Sequence, residues 1–191
     1  MKKLIGSILV CIAVSGCAYV NYMKDPFADI PAFARVTQNI YRGGPPKPAG
    51  YETLKGLGIR TILSLSQDKK DVRREESWAS ANNIKFYHIP VDLYSKPSDE
   101  QVIRFLGIVL DRTNVPVFIH CEDGRDRTGT MIALYRVVAM GWTIKDAYHE
   151  ARVIGYWPYH GDEAPLKAFV HQLKDKPLYF DKAKEFSRET R

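Results

Sequence analysis

The chain has 191 residues, 45% of them apolar and 12% aromatic, which suits one domain with a substantial core and is too short for two ordinary ones. Its formal charge is +6, and setting aside Lys2 and Lys3 leaves 26 basic against 22 acidic residues. The basic residues are scattered with no run of five or six like charges, so composition gives no case for a nucleic-acid partner.

The basic start MKK, the apolar run LIGSILVCIAV and the small residues of Val14-Ser15-Gly16-Cys17 make the three-part pattern of an export signal. This stretch resembles the lipobox of bacterial lipoproteins, which implies a signal peptide over 1–16 and a lipid on Cys17. An uncleaved anchor helix is the alternative, although the run is shorter than the roughly 20 residues a spanning helix needs. Under either reading the rest of the chain is expected outside the cytoplasm, held to a membrane of the bacterial cell envelope. With Cys11 in the signal and Cys17 lipidated, one thiol remains, Cys121, and one cysteine cannot build an internal disulfide framework.

Residues 17–32 read as a linker, 33–175 as the folded domain and 176–191 as a charged tail. Within the domain, Ala34 to Tyr41 reads as a strand ended by the turn residues GGPPKP. A short helix over 51–57 stops at Gly58, and IRTILSL at 59–65 is a buried strand. A polar helix over 71–81 leads to the strand IKFYHI at 84–89. After the loop PVDLYSKP, Ser98 with Gln101 makes a capping box for a helix over 99–111. The apolar 115–119 is the central strand, and helices follow at about 128–140, 143–153 and 164–174. Strands alternating with helices, then a run of helices, predict an α/β fold: a single domain with a mostly parallel central sheet flanked by helices.

In such a sheet, ligands bind beyond the carboxyl ends of the strands, which is where HCEDGRDRTG at 120–129 falls. Cys121 and Arg127 are separated by five residues in a loop that runs from strand to helix. Successive backbone N–H groups of such a loop converge on an anion, and the helix starting near Thr128 adds its positive end. Gly124 permits the turn, and Gly129 is expected to allow close packing against the strand. These donors and the fork of Arg127 can surround a phosphate, with the Cys121 sulfur behind the phosphorus for in-line attack. The same positive field favours thiolate over thiol. A small buried core cysteine is the bland alternative, but it needs no Gly, Arg and Thr arranged after it. The carboxylates Glu122, Asp123 and Asp126 are expected to radiate outward around the mouth, partly offset by Arg125, and to disfavour highly anionic substrates.

His120-Cys121, five residues, then Arg127-Thr128-Gly129 resembles the signature of the cysteine-dependent protein tyrosine phosphatases. NIYRGGPP at 39–46 and LGIRTILSLS at 57–66 resemble the compact, atypical dual-specificity group, and the resemblance covers roughly residues 33–175. It implies a dual-specificity-phosphatase-like fold, no cofactor, and a phosphocysteine intermediate on Cys121. Arg127 then stabilises the transition state, Thr128 assists the thiolate as leaving group, and His120 helps order the loop. The substrate-binding loop would be Glu122, Asp123, Gly124, Arg125, Asp126 and Arg127.

The family also supplies an aspartate that protonates the leaving oxygen. Asp92, which follows a strand end, is the first candidate. Asp99 is explained as a first-turn helix residue and Asp68 belongs to the polar run QDKKD. Arg42 is read as a support of the fold, and Lys69, Lys70 and Arg73 as a solvated helix start. Tyr156 and Trp157 suit core packing at a helix junction as well as a wall for a ring-bearing substrate. No group of side chains has metal-ligand spacing. Three readings stay open: hydrolysis of phosphotyrosine or phosphoserine/threonine in proteins, the leading one; hydrolysis of inositol phosphates or another small phosphorylated metabolite; and, more remotely, rhodanese-like sulfur transfer. A phosphate-binding module without turnover is a further alternative.

Overall fold

A computed structural model describes residues 27–156 and 165–189. The signal pattern, Cys17, Trp157 and most of the expected linker therefore lie outside the described residues. Five strands form one sheet in the order β1-β2-β5-β3-β4, with β1 Ala34–Arg35, β2 Ile40–Gly43, β3 Thr61–Ser64, β4 Lys85–His88 and β5 Val117–His120. β1 runs antiparallel to β2, and every other pairing is parallel. The helices are α1 Pro48–Gly56, α2 Lys69–Ala81, α3 Asp99–Leu110, α4 Asp126–Val138, α5 Ile144–Val153, α6 Pro165–Gln172 and α7 Pro177–Glu189, with a 3-10 turn at Leu173–Asp175.

Side chains alternate across each strand, so the sheet has two apolar faces. Leu63, Val117 and Ile119 face one core, built with Phe105 and Leu106 of α3, Met131 and Leu134 of α4, and the later helices. Ile62 and Phe118 face a second, smaller core with Leu54 of α1 and Ala79 of α2. The expected architecture, a mostly parallel sheet covered by helices, is the one observed. The capping box of α3 is present in both halves: Ser98 Oγ accepts from the Gln101 amide at 3.2 Å, and Gln101 Oε1 accepts from the Ser98 amide at 2.7 Å.

Local differences have identifiable causes. The single strand expected over 34–41 is a short hairpin instead, because the Asn39 amide donates to Thr37 Oγ1 at 3.2 Å and turns the chain. α1 begins three residues early because Pro48 occupies its first turn, where a missing N–H costs nothing. The linker expected up to residue 32 already belongs to the fold at its end: Ile30 is buried, and Pro31 O accepts from the Gly44 amide at 2.6 Å. Burying a side chain of that size contributes about 1.5–3 kcal/mol. Most of the expected charged tail is the helix α7, which sinks Tyr179 and Ala183 into the larger core while its charges face water.

Candidate active site

The strand β5 ends at His120, and Cys121 begins the turn into α4, one residue beyond the sheet. The turn closes because Gly124 adopts φ +70° and lies against the backbone of β2. A Cβ at this position would stand 2.1 Å from Gly43 C and 2.2 Å from Gly44 N. Only glycine fits both constraints. Gly129 differs from expectation: a Cβ there would meet Ala151 and Arg42 Nη2 at 3.7 Å, an ordinary contact with α5 and a side chain, so no close approach to a strand requires glycine. The helix begins at Asp126, two residues earlier than expected.

Arg42 fastens the loop from beneath. It is fully buried, and its Nη2 donates to Gly124 O at 2.8 Å and to Arg125 O at 3.4 Å. In a trans peptide the N–H points opposite to the C=O, so the amides of Arg125 and Asp126 face away from Arg42. Burial pulls the Arg42 pKa down to about 10, partly offset by Glu150 and Cys121, and it stays a cation at neutral pH. The sequence reading of Arg42 as a support holds, and the object it supports is the catalytic loop.

Cys121 is the one free thiol among the described residues and is 1% exposed. Arg127 is also buried, and its Nη1 is paired with Glu122 Oε2. Its Nε has no hydrogen-bond partner, which leaves one edge of the guanidinium able to hold an oxyanion. The Thr128 hydroxyl is likewise buried without a partner. These are donors built for a group that supplies acceptors.

Glu122 corrects the expectation of an outward rim. Its carboxylate turns inward, to Arg127 and to the Gln67 amide, which donates to Oε1 at 3.1 Å. Burial alone would raise its pKa, but the Arg127 pairing and the Gln67 hydrogen bond outweigh burial and hold it below the ordinary glutamate range. Only Asp123 is an exposed carboxylate of the loop. Asp126 is half-buried in the first turn of α4, where the helix dipole favours a negative charge. Arg125 is exposed beside them.

Gln67 also reaches the candidate acid, its Nε2 donating to Asp92 Oδ2 at 3.4 Å. Asp92 Oδ1 accepts from the Tyr94 amide at 2.7 Å. That backbone hydrogen bond, aided by Gln67, keeps the Asp92 pKa below the ordinary aspartate value, so the carboxyl is ionised at neutral pH in the free protein. A chain of contacts thus runs from Arg127 through Glu122 and Gln67 to Asp92. The rival aspartates are elsewhere engaged. Asp68 caps α2, accepting from the Lys70 and Asp71 amides, and Asp99 accepts from the Tyr179 hydroxyl and from Lys176 Nζ. Lys69, Lys70 and Arg73 are exposed at the start of α2. Tyr156 is buried in the larger core with an edge contact to Tyr148.

The sequence reading missed three partners of the loop. Glu75 of α2 is buried against His120, Gln67 bridges Glu122 and Asp92, and Glu122 itself pairs with Arg127. Glu75 carried one detectable signal, since positions 72, 75 and 79 share the buried face of an otherwise polar helix.

Comparison with known proteins agrees with this geometry. A family model described as "Tyrosine phosphatase family" matches residues 29–176. The inositol diphosphatase DSP4 of Arabidopsis thaliana is 28% identical over 162 residues, 81% of this chain and 80% of that protein. The core catalytic domain of the PP-IP phosphatase SIW14 of S. cerevisiae superposes with a TM-score of 0.68 at 22% identity, covering 82% of this chain and 93% of that one. P. aeruginosa TpbA in complex with pTyr has a TM-score of 0.60 at 22% identity, covering 83% and 94%. With the matched family model spanning the sheet, the Cys121 loop and the helices that carry it, the chain belongs to the tyrosine phosphatase family and is a cysteine-dependent phosphatase.

Proposed function

We propose that this phosphatase hydrolyses inositol phosphates or inositol diphosphates rather than phosphorylated proteins. The observation that carries the reading is the inward turn of Glu122. Of the three loop carboxylates expected at the mouth, pairing with Arg127 turns Glu122 away from it. Asp123 and the half-buried Asp126 remain beside Arg125, which leaves two loop carboxylates and one exposed guanidinium around the entrance. The similarity to a plant inositol diphosphatase over 81% of the chain supports the same substrate class.

In this reading the phosphate rests on the loop amides and the free edge of Arg127. The Cys121 thiolate attacks phosphorus as the bond to the leaving oxygen breaks, and Asp92 supplies the proton that oxygen needs. Asp92 is ionised in the free protein, so it takes up its proton as the phosphate dianion arrives, when a second negative charge nearby raises its pKa. Water then attacks the phosphocysteine, Asp92 accepts the water's proton, and phosphate leaves with the thiolate restored. Thr128 donates its unpaired hydroxyl to the departing sulfur, and His120, its Nδ1 3.3 Å from Cys121 O, orders the turn.

Phosphotyrosine in proteins is the second reading, favoured by the likeness to TpbA in complex with pTyr. Initial rates on a diphosphorylated inositol polyphosphate and on a set of phosphotyrosine and phosphoserine peptides separate the two. Higher kcat/KM on the inositol compound supports the first, and the reverse order overturns it. The export and lipid attachment of the protein at Cys17 is also a proposal, supported by the sequence pattern at 1–17. Labelling with a radioactive fatty acid, lost in Cys17→Ser, tests it, and an unlabelled wild-type protein recovered from the cytoplasm overturns it.

A further inference from the structure

His120 immediately precedes the nucleophile and is paired with Glu75, a residue with no part in the chemistry above. Glu75 Oε2 is 2.7 Å from His120 Nε2, and the two side chains are 5% and 3% exposed. The other ring nitrogen, Nδ1, faces Cys121 O at 3.3 Å. Both nitrogens therefore point at acceptors. A neutral imidazole has one N–H and one lone pair, so against a carboxylate it satisfies only one of these contacts, whereas the imidazolium donates to both. The Phe118 ring is stacked on the imidazole with centroids 5.6 Å apart, which fixes its plane.

We propose that Glu75 is a positioning residue that keeps His120 in its imidazolium form and so sets the pH range over which Cys121 reacts as a thiolate. The inference rests on Cys121 as nucleophile and is independent of which phosphoester is hydrolysed. A positive charge on the residue before Cys121 stabilises the negative sulfur, and Glu75 stabilises that charge in turn. Burial pulls the imidazole's pKa down, yet the charge and hydrogen bond of Glu75, with smaller help from the Cys121 carbonyl and Glu122, reverse this and leave it raised. The other charged or titratable groups packed around the pair are Arg42 of β2, Tyr51 of α1, Asp71 and Arg74 of α2, His88 of β4, and Glu122 and Arg127 of the loop. Of these, Glu122 is paired with Arg127, His88 Nε2 is bonded to Ser66 O, and Arg42 is held by loop carbonyls, so Glu75 is the carboxylate in hydrogen-bond contact with His120. The Tyr51 hydroxyl also leans on the Glu75 carboxylate, but burial and Glu75 itself push the tyrosine's pKa up, so it is a neutral donor and brings no second positive charge to the pair.

The test is the pH dependence of Cys121 alkylation by iodoacetamide in the intact protein, wild type against Glu75→Gln. Glutamine keeps the shape and can donate to a neutral His120, but cannot support the cation. Two charges go together, the imidazolium's +1 beside the sulfur and the carboxylate's −1 behind it, and because the nearer one dominates at an effective dielectric of about 20 the alkylation midpoint should move up by up to about one pH unit. kcat/KM at pH 5.5 should then fall by up to about tenfold and recover as pH rises. His120→Asn should raise the midpoint at least as far, and combining it with Glu75→Gln should raise it no further. A uniform loss of activity with an unmoved midpoint overturns the proposal, because it shows a packing role only. An NMR titration of the wild-type imidazole reads the same point without any substitution. Protonation persisting well above the ordinary histidine range supports the proposal, and titration at or below that range overturns it.

Discussion

Replacing Gly124 by alanine tests whether the catalytic loop is held by backbone contact with β2. Two penalties add. An L-residue at φ +70° costs about 1–2 kcal/mol. The new Cβ would also overlap Gly43 C at 2.1 Å and Gly44 N at 2.2 Å, and because both are backbone atoms no side-chain rotation relieves the clash. The loop must lift off β2, which breaks the 2.8 Å hydrogen bond from Arg42 to Gly124 O, a charged contact worth about 1.5–3 kcal/mol. The expected loss of stability is therefore about 2.5–5 kcal/mol. Because displacing reacting groups by about 1 Å costs around 10²-fold, kcat/KM should drop by at least that factor. Gly129→Ala is the internal control, since its Cβ meets nothing closer than 3.7 Å and a helical alanine is favoured over glycine by about 0.8–1.0 kcal/mol. Urea denaturation and initial rates on an aryl phosphate should separate the two variants widely. If Gly124→Ala is as benign as Gly129→Ala, the β2 backbone does not shape the loop.

Three further outcomes follow from the site. Asp92→Asn should slow substrates with poor leaving groups by about 10²- to 10⁴-fold and an activated ester far less, and equal losses on both would remove Asp92 from the acid role. Glu122→Gln should lower kcat on every substrate alike, because Arg127 loses its partner, whereas Asp123→Asn with Asp126→Asn should raise kcat/KM on a polyphosphorylated inositol relative to a singly phosphorylated peptide, an effect that shrinks at high salt. The raised pKa of His120 gives a stability term that is complete below the unfolded value of about 6.5 and is lost as pH rises through the folded value, so melting temperature should fall over that window in the wild type and change less in Glu75→Gln.

Much of the fold was legible because hydrophobic runs and helix caps are local. The strands at 61–64 and 117–120 and the Ser98–Gln101 capping box lie where the pattern of residues put them. The loop was legible for a related reason, since Cys121, Gly124 and Arg127 are all within one turn of chain. What the sequence hid was contact across distance. Nothing in YRGG announces that Arg42 binds the carbonyl of Gly124, 82 residues away, and nothing in RREES announces that Glu75 meets His120, 45 residues away. Glu122 misled for a subtler reason: a carboxylate beside an anion site reads as solvent-facing until Nη1 of the neighbouring Arg127 is seen to claim it. The tail misled because its charges outnumber the few apolar residues, yet Tyr179, Ala183 and Phe186 recur at helical spacing and carry the packing.

In this mechanism phosphate passes through the sulfur of Cys121. Quenching the wild-type protein during turnover in alkaline denaturant, where the P–S bond survives, followed by mass spectrometry of the peptide containing Cys121, detects the intermediate. The expected result is a peptide heavier by one phosphoryl group, trapped in larger amount in Asp92→Asn with an activated ester, and absent in Cys121→Ser together with all activity. Steady turnover with no phosphorylated peptide, or substantial activity in pure Cys121→Ser, would contradict it.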